Sequence, residues 1–188
     1  MMQLISRQRL LWLLLLLFTL WLVLVSISLF YFGNKDYGQF DNNQNWQASA
    51  PSTLAIKTLG IMPTTGKQVV HVQQAHCSCN SRTKQHIALF TTDYQLPAEK
   101  QFRRKLDQVN AAGLLLPATP AVLIFNNGKL LYAGPYATGP MCSVTNSLIA
   151  PILTGEVNLT GLWLNGEAKA CRCLASQTAN LPYTDIDI

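Results

Sequence analysis

The chain has 188 residues, enough for one ordinary domain plus an anchor but not for two full cores. Its hydrophobic fraction of 49% and charged fraction of 12% would be unusual for a water-soluble protein, and much of the excess lies in the first 32 residues. The net charge of +5 is thinly spread; its densest cluster is Lys100, Arg103, Arg104 and Lys105. A solvated face accounts for that cluster, so no nucleic-acid partner is expected.

Residues 10–32 form an uncharged apolar run, longer than the ~20 residues that cross a bilayer as a helix. Arg7 and Arg9 precede it, whereas Lys35, Asp36 and Asp41 follow. The positive-inside bias therefore predicts a single-pass anchor with residues 1–9 in the cytoplasm and the rest across the membrane. A cleaved signal peptide, cut near Ser26 or Ser28, is the competing reading; the run is longer than a signal's ~7–15 apolar residues and lacks an Ala-x-Ala site. Residues 33–53, rich in Asn, Gln, Asp, Gly and Ser, suit a flexible tether.

Residues 54–155 read as the main domain. Gln68–Gln73 carries Val69, Val70 and Val72, β-branched residues that suit a buried strand. It runs into His76-Cys77-Ser78-Cys79. A short helix is expected over Asn80–Gln85, a strand over Ile87–Thr92, and the clearest helix over Leu96–Ala112, opened by Pro97 and ended by Gly113, with Phe102, Leu106 and Val109 on one face. Pro120 precedes Ala121–Phe125, a continuous apolar run suited to a strand buried on both faces. Asn126-Asn127-Gly128 predicts a hairpin to Lys129–Tyr132. A helix is expected after Thr138-Gly139-Pro140, with Val144, Leu148 and Ile149 on its apolar face and Pro151 ending or kinking it. Within the extension and tail, 156–188, Val157–Leu164 and Glu167–Leu174 look like a hairpin around Asn165-Gly166. Helices alternating with strands predict an α/β fold, a central mixed sheet with flanking helices.

Five cysteines, 77, 79, 142, 171 and 173, all follow the apolar run, on the side of the membrane where disulfides persist. The odd number leaves at least one thiol over. Cys77, at a strand-to-helix turn, fits a nucleophile whose thiolate is favoured by unpaired backbone N–H groups, and Cys79 fits a resolving thiol. Cys142 has two readings, a third thiol that relays electrons or half of a disulfide to Cys171 or Cys173. In a regular strand Cys171 and Cys173 would share a face with Cα atoms roughly 6.5–7 Å apart, at the limit for bridging, so a metal or another partner suits them better. His76, Cys77, Cys79, Cys171 and Cys173 together would make a soft site for copper(I) or zinc.

The stretch Thr119-Pro120-Ala121-Val122-Leu123-Ile124-Phe125-Asn126-Asn127-Gly128-Lys129-Leu130 resembles the segment of thioredoxins that holds their cis-proline, and Pro120 lies 43 residues after Cys77, close to the family's own interval. The resemblance covers roughly residues 67–153. The chain also looks like membrane-anchored thioredoxin-like proteins of proteobacteria. It departs from the family in having Cys77-Ser78-Cys79 where thioredoxins carry two intervening residues, and in its second Cys-x-Cys. What the resemblance implies is a thioredoxin-like fold in the periplasm, tethered to the inner membrane, in which Cys77 attacks, Cys79 resolves and Pro120 shapes the groove. Its partners would be protein thiols or disulfides. Two other readings stand beside this enzyme: a metallochaperone for copper or zinc, and a catalytically idle scaffold.

Overall fold

A computed structural model describes residues 7–34, 36–44, 46–49 and 54–175. The chain divides into two units, Met1–Lys35 and Asp36–Ile188. The first is dominated by helix α1, Arg7–Asn34, whose 28 residues extend about 42 Å at 1.5 Å per residue. Its stretch Arg7–Tyr31 has a mean hydropathy of 2.8. Leu13, Leu14, Leu15, Leu16 and Leu17 are consecutive and all exposed, so the helix is apolar around its whole circumference. By length and composition it can cross a bilayer, as a membrane anchor or as a signal sequence.

The second unit is built on a five-stranded mixed sheet. Its strands are β2 (Lys67–Gln73), β3 (Gln101–Lys105), β5 (Ala121–Asn126), β6 (Lys129–Gly134) and β7 (Trp163–Leu164), in the order β3-β2-β5-β6-β7. β2 runs parallel to β3 and antiparallel to β5, and β6 runs antiparallel to β5 and parallel to β7. The crossover from β2 to β3 carries helix α3, Lys84–Thr92, as parallel neighbours require. Alternate residues of the sheet feed two cores. Val70, Val72, Leu123 and Phe125 pack on one face with Phe40, Trp46 and Val109, while Val69, Val122, Ile124 and Tyr132 pack on the other with Phe90 and Ile149. The unbroken apolar run of β5 is thus explained by burial on both faces. The expected hairpin forms, with Asn127 at φ 51° and Gly128 at φ 76°.

Between the cysteines and Gly113 the expected alternation is present, but shifted along the chain. Ile87–Thr92 is helical within α3, not a strand; His86 and Phe90, four apart, bury one face. A short apolar run fits a buried helix as well as a strand, and here the crossover decides. Leu96–Ala112 is not one helix. After a single 3₁₀ turn at Ala98–Lys100, residues 101–105 form β3, and only Leu106–Ala111 (α4) is helical. Pairing with β2 overrides the helix-forming side chains, and Arg103, Arg104 and Lys105 suit the edge position β3 occupies. After residue 138 the expected helix reduces to a 3₁₀ turn, Val144–Asn146, and α5, Ala150–Thr154. Pro151 sits in the first turn of α5 and helps open it, where a missing N–H costs nothing.

Part of the segment expected as a tether is folded. β1, Tyr37–Gln39, pairs antiparallel with β8, Lys169–Cys171, and α2, Trp46–Ser49, has its first N–H held by Asp41 Oδ2 at 2.7 Å. Phe40 and Trp46 lie inside the core. The hairpin expected around Asn165-Gly166 is absent: β7 pairs with β6, β8 with β1, and β9 (Cys173–Leu174) with β4 (Ala118–Thr119). A Cβ on Gly166 would meet Asp41 Cβ at 2.7 Å, so this glycine serves a close approach of two chain segments. The tail beyond residue 175 lies outside the described residues.

Candidate functional site

The Cys77-Ser78-Cys79 segment leaves the end of β2 and enters a four-residue 3₁₀ turn, Ser78–Ser81, with Cys77 as its N-terminal flank. Such a turn aligns few peptide dipoles, so it favours a thiolate less than the short α-helix expected there over Asn80–Gln85 would. β4 and the start of β5 lie at the same end of the sheet. The Thr119–Pro120 peptide bond between them is cis, and Cys77 Sγ lies 3.6 Å from the carbonyl oxygen of Thr119. Cys77 and Pro120, set 43 residues apart by the sequence, are therefore neighbours.

The two Cys-x-Cys segments bond to each other. Cys77 joins Cys173 and Cys79 joins Cys171, with Cα–Cα distances of 5.8 and 5.7 Å, inside the usual range for disulfides. A bond between Cys77 and Cys79, the direct form of an attacking and a resolving pair, is not the one formed. Nor do Cys171 and Cys173 bond internally; Arg172 separates β8 from β9. The sequence singled out all four sulfurs, yet four cysteines allow three connectivities and spacing selects none of them.

The two bonds differ in surroundings. Cys79 is fully buried and Cys171 is 5% exposed, whereas Cys173 is partly open to solvent beside a 7% exposed Cys77. Three residues the sequence reading missed organise the pair. The Asp36 carbonyl oxygen accepts the Arg172 N–H at 2.6 Å and lies 3.8 Å from Cys79 Sγ, and its carboxylate accepts the Ser78 hydroxyl. The Arg172 guanidinium folds inward and donates to the carbonyl of Gln39; a Cβ on Gly38 would meet its Nη2 at 2.6 Å, so glycine leaves the space it fills. Thr119 holds Cys173 opposite itself across the β4–β9 pair. None of these partners shares a local motif with the cysteines, so no spacing signal marks them.

Cys142 is free and buried, which removes the reading in which it bonds Cys171 or Cys173. Burial pushes its thiol up to about 11, so it stays protonated near neutral pH and is a poor nucleophile. Its carbonyl accepts from His86 Nε2 at 2.9 Å, a contact that fixes the loop. His71, on β2, pairs through Nδ1 with the Tyr136 hydroxyl at 2.8 Å, and burial lowers its pKa to about 4. Gly134 lies against Asn165 and the Tyr132 hydroxyl, where a Cβ would come within 2.9 Å of both.

For a metal, the sulfurs of Cys77, Cys79 and Cys173 lie within 4.8 Å of one another, and Cys171 is bonded to Cys79. They are ligands only once the disulfides are reduced to thiolates. His76 is exposed at φ 59° and stands outside this group.

No curated protein and no solved structure matches the chain. The sequence profile of one family covers residues 43–175, a span that includes the sheet, both Cys-x-Cys segments and Cys142. The chain belongs to that family, described as Domain of unknown function (DUF6436).

Proposed function

We propose that this chain is a membrane-anchored, periplasm-facing thioredoxin-like protein that exchanges disulfides with other proteins through Cys77. The observation that carries the reading is the position of Cys77: at the exit of a central strand, 3.6 Å from the carbonyl that precedes cis-Pro120, and bonded to the partly exposed Cys173. The strand order β3-β2-β5-β6, with a parallel β2–α3–β3 crossover and antiparallel β5 and β6, supports the fold assignment. The apolar α1, with Arg7 and Arg9 at its N-terminal end, supports the anchor.

In the reducing direction, the Cys77 thiolate attacks one sulfur of a partner's disulfide and the partner's other sulfur leaves as a thiolate. The Cys173 thiolate then attacks Cys77 Sγ in the mixed disulfide and expels the partner's remaining thiolate. The partner gains two electrons and two protons, and Cys77 and Cys173 lose them, ending in the bond present here. The reverse sequence oxidises a partner dithiol. Cys173 thus takes the resolving role that spacing gave to Cys79, which is held in the second bond.

The test is a thiol count on the full chain in detergent, before and after incubation with a dithiol, followed by transfer from the reduced chain to a protein substrate that carries a disulfide. Two new thiols at Cys77 and Cys173, lost again as one substrate disulfide is reduced, are expected. A chain that accepts no electrons from any dithiol refutes the reading. A second reading is favoured by the three sulfurs within 4.8 Å: fully reduced, they would hold copper(I) or zinc together with Cys171. One tightly bound ion per reduced chain, with no transfer to substrate, would choose it.

A further inference from the structure

The Cys77–Cys173 bond ties a strand as well as a sulfur. β9 has only two residues, paired antiparallel to β4 with Thr119 opposite Cys173 and Ala118 opposite Leu174, and the next N–H, of Ala175, donates to the Pro117 carbonyl at 2.9 Å. Among the described residues, little else holds residues 173–175. Leu174 is 46% exposed, so it buries only part of its apolar surface, and the buried Thr119 hydroxyl has no hydrogen-bond partner among the described residues. β8, one residue earlier, is anchored differently: three residues pair with β1, and Cys171 is locked to the buried Cys79. The covalent bond and the strand pairing at β9 therefore depend on each other, while β8 stands apart from both.

We propose that residues 173–175 are a displaceable internal occupant of the β4 edge, and that partner release occurs by strand exchange. This rests on the thiol–disulfide reading above. When Cys77–Cys173 is reduced by a dithiol, which takes up the oxidised state as its own disulfide, the segment detaches as far as Arg172, which Asp36 and Gln39 hold beside the Cys171 anchor. The Ala118–Thr119 edge then accepts an extended, cysteine-bearing stretch of a partner polypeptide, its cysteine at the register of Cys173 and beside Cys77 Sγ. Return of β9 delivers the Cys173 thiolate to the mixed disulfide and recovers the backbone hydrogen bonds of the edge in one movement. Breaking the covalent bond and evicting the docked segment are then the same event, and the Cys79–Cys171 bond keeps the returning strand within reach.

Two measurements test this on the full chain in detergent. In hydrogen exchange with and without dithiothreitol, at a concentration that frees Cys77 and Cys173 but leaves Cys79–Cys171 intact, amides of residues 173–175 should exchange at least about tenfold faster on reduction, and those of β8 should not change. Unchanged protection at 173–175 with Cys77 and Cys173 both free overturns the proposal. The second uses a Cys173→Ser chain and a probe peptide, Arg-Cys-Leu-Ala, activated as its mixed disulfide with thionitrobenzoate, against the reversed peptide Ala-Leu-Cys-Arg activated in the same way. Docking at the edge predicts that Cys77 reacts about tenfold faster with the first, the effect of one or two net hydrogen bonds. Equal rates overturn strand docking and leave the exchange chemistry standing. Failure of Cys77 to react with either peptide removes the oxidoreductase reading itself.

Discussion

Two disulfides lie one residue apart on each of two segments, yet they are different objects. Cys79–Cys171 is buried between the 3₁₀ turn and β8, and it joins a strand that is paired along its length. Cys77–Cys173 lies against the Thr119 carbonyl, has one partly exposed cysteine, and joins a strand of two residues. Both close loops of more than ninety residues, so chain entropy does not separate them. Accessibility and the strength of the attached strand do. The same bond type serves as a fastening in one place and as an exchangeable contact in the other.

The comparison can be broken most severely by removing both bonds. Because the two loops are nearly coincident, either bond alone imposes most of the restraint, and loss of both should cost about 4–5 kcal/mol. Replacing all four cysteines by alanine and measuring the urea midpoint checks this; a loss no greater than that of one bond would mean that the unfolded chain is not restrained as the loops imply.

A stability change of about 3 kcal/mol should follow from pH alone, with both disulfides intact. Folded His71 titrates at about 4, against about 6.5 in the unfolded chain. Above pH 6.5 both forms are neutral and nothing is lost. Below it the unfolded chain takes up the proton first, so stability falls as pH drops from 6.5 to 4. His86, also lowered by burial, acts in the same direction. Urea midpoints at pH 7.5 and 4.5 should differ accordingly, and His71→Phe should flatten most of the slope; a variant that keeps the full slope assigns it to another group.

Single serine substitutions sharpen the contrast. Cys79→Ser places a hydroxyl in a fully buried site and should cost about 2 kcal/mol, while Cys173→Ser, partly exposed, should cost about 1 kcal/mol by thermal denaturation. Equal losses would erase the distinction between the two sites. Gly38→Ala pushes a methyl against the Arg172 guanidinium between the two bonds and should cost about 1 kcal/mol, unless Arg172 swings into solvent, which its N–H exchange with the Gln39 carbonyl partner would reveal. Least of all, Cys142→Ala should leave the redox midpoint unchanged, because a thiol pushed up to about 11 contributes no thiolate at neutral pH; a shifted midpoint would restore it to the exchange pathway.

The sequence by itself determined the features that rest on local chemistry. An uncharged run of 23 residues at 10–32 must be an apolar helix, Asn127-Gly128 must turn, and the β-branched Val69–Val72 and apolar Ala121–Phe125 must be strands, because each of these follows from neighbours a few residues away. It also named the four sulfurs and Pro120. Tertiary structure alone decided whatever depended on a distant partner. Gln101–Lys105 became a strand because β2 offered an edge, Tyr37–Gln39 because β8 did, and the hairpin at 165–166 never formed because β8 and β9 found separate edges. The pairing of the cysteines belongs to the same class: Cys77 reaches Cys173 across 96 residues because β4 holds Cys173 beside the exit of β2, and only the assembled sheet puts those two places together.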